Sequence, residues 1–318
     1  MTATVTNALV ESGWAKLPPE YRMPETTPTL EQARTYCQRL AESHYENFHV
    51  ASWFLPKRLR KHFHAIYAYC RISDDLGDEV GNREESLALL DLWQHELDAC
   101  YRGEAHHPVF VALAATVREC NIPQQPFNDL LVAFRQDQDI HRFQTIEDIL
   151  AYCHYSANPV GHLVLYTCGY SDAERMRLSD FTCSALQLAN FWQDVRVDFA
   201  KGRVYIPQAD LARFGVTEDV IASGHATPEF RKLLRYEVDS TRQMFQQGMP
   251  LIHSVDKDLA VDLELFSRGG LEIMRAIERR DYDVLSSRPA ISTPRKAALL
   301  LRALWSRAFG VAGGNKGK

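Results

Sequence analysis

The chain has 318 residues, 46% hydrophobic and 24% charged, with a formal net charge of −5. That is the composition of a globular protein rather than a disordered one, and no long basic tract calls for nucleic acid. Seven scattered cysteines, odd in number and never in a C-x-x-C pair, argue against a disulfide framework or a structural zinc site and read as reduced core thiols of a cytoplasmic protein.

Met1 to Glu25 lacks the charged-then-apolar run of a signal peptide. No stretch reaches the ~18 uninterrupted apolar residues of a membrane span, so the expectation is a soluble protein whose membrane contact is at most peripheral. Residues 1–28 are rich in Thr and Pro and predict an arm without regular structure. Helical periodicity then runs almost throughout. Thr29 is a plausible N-cap, and Pro56 stands where a first helical turn would begin. Over Pro56–Glu79, apolar Leu59, Phe63, Ile66, Tyr67 and Cys70 recur at three- and four-residue intervals. Similar runs cover Glu84–Tyr101, Pro108–Cys120, Pro126–Gln138, Thr145–Cys168, Asp172–Phe199, Pro228–His253, Asp256–Arg280 and Thr293–Phe309. Glycines and prolines punctuate them, and strand-like alternation is confined to Arg203–Ile206. Long helices with short connections predict one all-α domain over 29–309 and a fraying basic tail over 310–318.

Two segments carry the chemistry. In Tyr67-Ala-Tyr-Cys-Arg71-Ile-Ser-Asp74-Asp75-Leu-Gly-Asp78-Glu79, and again in Gln187-Leu-Ala-Asn190-Phe-Trp-Gln193-Asp194-Val-Arg-Val-Asp198, aspartates stand four apart. Four-residue spacing puts both carboxylates on one helix face, where like charges repel. Apolar neighbours of Asp194, among them Phe191, Trp192, Val195, Val197 and Phe199, make an uncompensated charge costlier still. A divalent cation with hard oxygen ligands, such as Mg²⁺, would relieve both problems. A single Asp-x-x-x-Asp is ordinarily a solvated face; two of them on largely apolar helices leave the metal and the solvated readings both open.

The stretches Tyr67–Glu79 and Gln187–Pro207 resemble the two aspartate-rich motifs of squalene and phytoene synthases, and the resemblance extends over roughly residues 40–300. It implies a single-domain isoprenoid synthase helical bundle around a central apolar cavity. In that family the motifs lie on facing helices and bind Mg²⁺ that grips a prenyl diphosphate. The resemblance assigns Asp74, Asp78, Asp194 and Asp198 to the metal, with Asn190 as a further oxygen ligand. Tyr67 and Arg71 match residues that line the site and hold the leaving diphosphate. Asn47-Phe48 falls at a polar-aromatic flap, and Gln187 at a cavity position. Arg203 and Tyr205 match the exit from the second motif, while Tyr282, Arg288 and Lys296 fit a diphosphate-contacting end more loosely.

Three departures from the family pattern point to a branch. Gln193 stands where most members carry Arg, Val197 where an acidic residue is usual, and Tyr155-Ser-Ala-Asn158-Pro159-Val-Gly161 replaces a glycine-flanked turn. Proline removes a backbone donor and disfavours α geometry just before it, so Asn158-Pro159 predicts a helix break able to house water. With Gln193 and Asn47-Phe48, this variant resembles the bacterial hydroxysqualene synthases of hopanoid biosynthesis, which add water to presqualene diphosphate. Asn158, Gln187 and Gln193 then join Tyr67 and Arg71 as catalytic candidates. No Gly-rich dinucleotide fingerprint is visible, so NADPH is not expected. Full head-to-head condensation of two farnesyl diphosphates is the nearest alternative. A non-catalytic assembly factor would be expected to lose its aspartates, and a di-metal bundle would repeat Glu-x-x-His pairs, which are absent.

Overall fold

The structure is a computed structural model and describes residues 3–43, 56–292 and 295. Asn47, Phe48 and Lys296, and all of the predicted 293–309 helix except Arg295, lie outside the described residues. Among the described residues everything regular is helical, apart from one isolated bridge between Arg142 and Val204 in place of the expected Arg203–Ile206 strand. The contacts divide the chain into two compact units. One comprises the described residues up to Asp139 with His162–Ser171; the other comprises Ile140–Gly161 and the described residues from Asp172 onward.

The first unit is built on α1 (Ala3–Trp14), α2 (Leu30–Ser43), α3 (Arg60–Asp78), α4 (Arg83–Arg102), α5 (Pro108–Cys120) and α6 (Gln125–Gln136). Helix α3 is central and packs on α2, α4, α5 and α6. Local chemistry sets the ends of its neighbour: the Asn82 side chain accepts the Glu84 and Glu85 N–H groups at the start of α4, and Gly103, at φ 83°, closes it. Tyr69, Trp93, Phe110 and Phe127 are fully buried. Trp93 meets Phe110 at 4.5 Å and Tyr69 meets Phe127 edge-on at 5.0 Å, while the Tyr69 hydroxyl donates to the Phe127 carbonyl at 2.9 Å.

Helix α1 corrects the expectation of an irregular arm over 1–28. Its own propensity is weak, and tertiary contact decides the outcome. Trp14, Leu17 and Tyr21 are buried, and α1 packs on α4 so closely that a Cβ on Gly13 would lie 2.7 Å from Leu89 Cδ1. Ser12 and Lys16 both donate to Glu85, at 2.9 and 2.5 Å.

The second unit holds α7 (Ile146–Ser156), the first turn of α8 (Asn158–Thr167), α9 (Ala173–Ala200), α10 (Gln208–Arg213), α11 (Glu218–Ser223), α12 (Pro228–Gly248) and α13 (Lys257–Arg279). The 28-residue α9 is its axis, about 42 Å long, and packs on α7, α11, α12 and α13. Trp192, fully buried on α9, donates to Thr241 Oγ1 at 2.8 Å. The run expected over Thr145–Cys168 is two helices, parted at Ala157 (φ −117°, ψ −48°), as Asn158-Pro159 required. The six-residue α10 and α11 were too short to show periodicity.

Adjacent glycines on α13 provide a test of this packing. A Cβ on Gly270 would come within 2.3 Å of Phe245 Cζ and 3.0 Å of Leu186, whereas one on Gly269 meets no described atom within 4 Å. Gly270→Ala should therefore destabilise the protein by about 1–3 kcal/mol, and Gly269→Ala should stabilise it by about 0.5–1 kcal/mol. Urea unfolding of both variants reads the opposite signs.

Candidate active site

Helix α3 buries Ile66, Ala68, Tyr69, Ile72, Ser73, Asp75, Leu76 and Gly77 but leaves a stripe through Tyr67, Arg71, Asp74 and Asp78 at least partly open. Their spacing of four, three and four residues makes them one face. The neighbouring aspartates point to different fates. Asp75 is buried and receives the Arg71 guanidinium in a bidentate pair, Nε at 3.0 Å and Nη2 on the other oxygen, plus the Tyr21 hydroxyl at 2.8 Å. Asp74 stays on the open stripe with Arg71 Nη1 3.8 Å away. Half of its side-chain surface is accessible, yet the surrounding protein displaces enough water, and Asp78 adds enough negative charge, to push its pKa up to about 6. Desolvation also raises the Tyr67 phenol, with Arg71 opposing.

Helix α9 repeats the arrangement. Gln187, Asn190, Asp194 and Asp198 form a partly open stripe, while Ser184, Leu188, Ala189, Phe191, Trp192, Gln193 and Val195 are buried. Val197, expected among the apolar neighbours of Asp194, is 44% exposed and lies off this stripe. Arg288 grips Asp194 with both Nε and Nη2, the latter at 3.0 Å, and its Nη2 also reaches Gln193 Oε1 at 3.2 Å. Gln193 Nε2 in turn donates to the Pro289 carbonyl at 2.6 Å. Asp198 is pushed up to about 6, first by burial and then by Asp194, against the opposing pull of Lys201, Arg203 and Arg288.

The remaining candidates are placed around this second stripe. The chain leaves α9 through Gly202, at φ 80°, and the Arg203 N–H returns to the Asp198 carbonyl at 2.9 Å. Tyr205 stacks on Phe191 with centroids 3.7 Å apart and planes 5° apart. Asn158 is buried, and its Oδ1 accepts from the Ser184 hydroxyl at 2.9 Å, ten residues before Asp194 on α9 and about 15 Å along the axis. Two residues before Asn158, the Ser156 Oγ is buried without a hydrogen-bond partner among the described residues. Tyr282 is buried at φ 60° beneath the Arg235 guanidinium, 4.9 Å from its ring centre. Sequence reasoning missed Tyr21, Asp75 and Ser184. The Arg71/Asp75 spacing was a legible signal, whereas Asn158 and Ser184 are 26 residues apart and nothing local links them.

The donor set fits a hard divalent cation. Burial first, and repulsion by the paired carboxylate second, hold one member of each aspartate pair at a pKa of about 6. No three His, Cys, Asp or Glu side chains among the described residues are grouped to hold an ion by themselves. Mg²⁺ is ordinarily held by one or two carboxylates, waters and substrate phosphates, and Asp74 with Asp78, and Asp194 with Asp198, offer that kind of partial cage.

Comparison with known proteins identifies the family. The squalene/phytoene synthase family model matches residues 27–295, and the chain belongs to that family of metal-dependent synthases acting on prenyl diphosphates. It is 28% identical over 284 residues to the 15-cis-phytoene synthase of Synechococcus elongatus, covering 86% of this chain and 92% of that protein. Among solved structures it is similar to squalene synthase HpnC from Alicyclobacillus acidocaldarius, at 44% identity and a TM-score of 0.77, over 85% of this chain and 99% of that one. It is also similar to a dehydrosqualene synthase in complex with ligand, at 25% identity and a TM-score of 0.78, covering 86% and 96%. The all-α architecture is thus the isoprenoid synthase fold of these neighbours.

The raised pKa of Asp198 has a measurable consequence. Below pH 3.8 its carboxyl is neutral in both folded and unfolded chains; between 3.8 and about 6 the folded chain holds the extra proton, so its contribution to stability falls as pH rises. Above that range the full penalty persists. Without divalent ions, Asp198→Asn should raise the Tm at pH 7.5 by about 2 °C or more, and the gain should vanish near pH 4. Thermal melts in chelator across that range check it.

Proposed function

We propose that the protein ionises presqualene diphosphate and captures the cation with water, giving hydroxysqualene and diphosphate. The reaction balances as presqualene diphosphate plus water: the carbon–oxygen bond to diphosphate breaks, the water oxygen bonds to carbon, and a proton is released. Mg²⁺ held by Asp74, Asp78, Asp194 and Asp198, with Asn190 beside the second pair, would neutralise charge developing on the leaving diphosphate. Arg71 and Arg288 each suit phosphate oxygens, because a guanidinium matches phosphate geometry with two parallel donors. Tyr67 lies one turn before Arg71 on the same face, with Gln187 correspondingly before Asn190. Arg203, Tyr205 and Tyr282 support the second site through the α9 exit and the 281–289 turn, and Asn47, Phe48 and Lys296 keep their proposed roles in substrate contact. We treat residues 29–309 as one catalytic domain. No step in this conversion transfers hydride, so no NADPH is required.

The observation that carries the water-capture reading is the polar group at the broken helix. Asn158 and Ser184 are buried and bonded to each other, and Ser156 Oγ, nearby in sequence, is buried without a hydrogen-bond partner among the described residues. A buried water takes two to four polar partners, and these side chains can supply them where α7 meets α8. Gln193, by contrast, has its carbonyl and its amide engaged by Arg288 and Pro289, which favours a structural duty over holding the water. The 44% identity to squalene synthase HpnC supports a C30 product. Similarity to phytoene synthases keeps condensation of two prenyl diphosphates as the second reading.

Incubation in ¹⁸O-water with Mg²⁺ and presqualene diphosphate, without a nicotinamide cofactor, should yield a labelled C30 alcohol, and chelator should abolish it. Asn158→Ala should shift products towards hydrocarbons while diphosphate release persists. Unlabelled or absent alcohol, with presqualene diphosphate formed from farnesyl diphosphate, would replace water capture by condensation.

A C30 alcohol is nearly insoluble, so we place product release beside a bilayer, consistent with a cytoplasmic enzyme peripheral to the inner face of the membrane. No described helix is long and apolar enough to cross one. The exposed Lys57 and Arg58 precede Arg60 and Lys61 at the start of α3, offering charge for anionic headgroups. Charge reversal at Lys57 and Arg58 should lower binding to phosphatidylglycerol vesicles severalfold in flotation; binding equal to wild type would move the contact elsewhere.

A further inference from the structure

Asp194 and Asp198 carry two negative charges, and the structure supplies one full guanidinium against Asp194. That guanidinium is delivered by a braced segment. Asp281 and Tyr282 turn the chain in the left-handed region, at φ 51° and 60°, and Arg231 Nη1 holds the Asp281 carbonyl at 2.5 Å. Asp283 Oδ1 accepts the Leu285 and Ser286 N–H groups at 3.2 and 3.0 Å. Arg196, on α9 itself, donates to the Leu285 carbonyl at 2.7 Å.

The last clamp is Gln193. It is 6% exposed, next to Asp194 in sequence, and ties down both the Arg288 side chain and the Pro289 backbone. Asp194 is only 13% exposed on its side chain, whereas Arg288 is 51% exposed. Arg288 is therefore the more solvent-accessible partner of this pair, on a backbone pinned at Leu285 and Pro289.

We infer that Arg288, positioned by Gln193, stands in for the metal on Asp194 in the ligand-free protein and is exchanged onto the diphosphate when a divalent ion takes the carboxylate. The exchange rests on the metal and diphosphate reading above and adds an order to it. Arg288 is the cation bonded directly to Asp194, and a divalent ion brings twice its charge to the same carboxylate, which gives it a driving force to enter. The displaced guanidinium then finds in the diphosphate an acceptor with matching bidentate geometry. Gln193 is a positioning residue in this scheme, acting on diphosphate through Arg288. The family's usual arginine at that position would add a like charge beside Arg288; the neutral Gln193 instead supplies an acceptor to hold it.

The test is protein-bound Mn²⁺ measured by water-proton relaxation, with and without inorganic diphosphate, for the full chain and for Arg288→Ala, Arg288→Lys and Gln193→Leu. Without diphosphate, Arg288→Ala should bind Mn²⁺ about fivefold more tightly than wild type, the scale of one ion pair removed from competition. Gln193→Leu should move part of the way, and Arg288→Lys, which keeps the charge and loses the fork, should fall between wild type and Ala. With diphosphate the order should reverse, Arg288→Ala becoming the weaker binder. A purely structural ion pair would not reverse sign between the two conditions. Circular dichroism checks each fold, and Arg288→Lys carries the comparison if Arg288→Ala unfolds. Equal Mn²⁺ affinity of wild type and Arg288 variants in both conditions, with Asp194→Asn still abolishing binding, overturns the exchange and leaves the metal site standing. Absence of Mn²⁺ binding to wild type even with diphosphate overturns both.

Discussion

A carboxylate held beside another carboxylate and partly withdrawn from water needs a positive partner, and both halves of the chemistry here are built around that need. On α3 the demand is divided between neighbours. Asp75 turns inward and takes the Arg71 fork and the Tyr21 hydroxyl, while Asp74 turns to the open stripe with Asp78 and is left with a pKa near 6. On α9 the demand is met from a distant part of the chain by Arg288, which satisfies Asp194 and leaves Asp198 raised. In both places the protein keeps one acidic group short of full compensation. Such residual negative charge suits a divalent cation that shares its coordination between carboxylates and the phosphate oxygens of a substrate.

The supporting shell explains why these groups can be kept in that state. Helix α3 is packed on four others and α9 is the axis of its own unit, so neither can bend away from the repulsion along its open face. Tyr21 illustrates how far this support reaches: it comes from the segment after α1, and its burial ties the N-terminal residues to the carboxylate that occupies Arg71. On the other stripe, the Phe191–Tyr205 stack and the Arg203 turn fix the exit from α9, while Gln193 and Arg196 fix the returning 281–289 segment.

The departures from the family pattern fall into two physical kinds. Gln193 proves to be a bridge between a side chain and a backbone carbonyl, so its identity concerns where Arg288 sits. Asn158-Pro159 breaks a helix and buries an amide against Ser184 at the junction of α7 and α8. The first kind bears on the leaving group and the second on the fate of the cation, so they can be separated experimentally.

The sequence by itself determined the helical class, most helix boundaries and the two aspartate stripes, because period 3.6 and a four-residue spacing are local properties that survive any tertiary arrangement. It also determined the break at Asn158-Pro159, since proline's missing donor acts within one turn. What only the tertiary structure decided involves partners far apart in the chain: Arg288 with Asp194, Ser184 with Asn158, Tyr21 with Asp75, and the helicity of residues 3–14. Those 12 residues lack the propensity to hold a helix alone and take it from packing on α4. Val197 shows the converse, an apolar residue beside the motif that is left 44% exposed. Long-range pairing leaves no periodic trace in a single chain, and it is what turns two acidic stripes into sites with a particular cation in place.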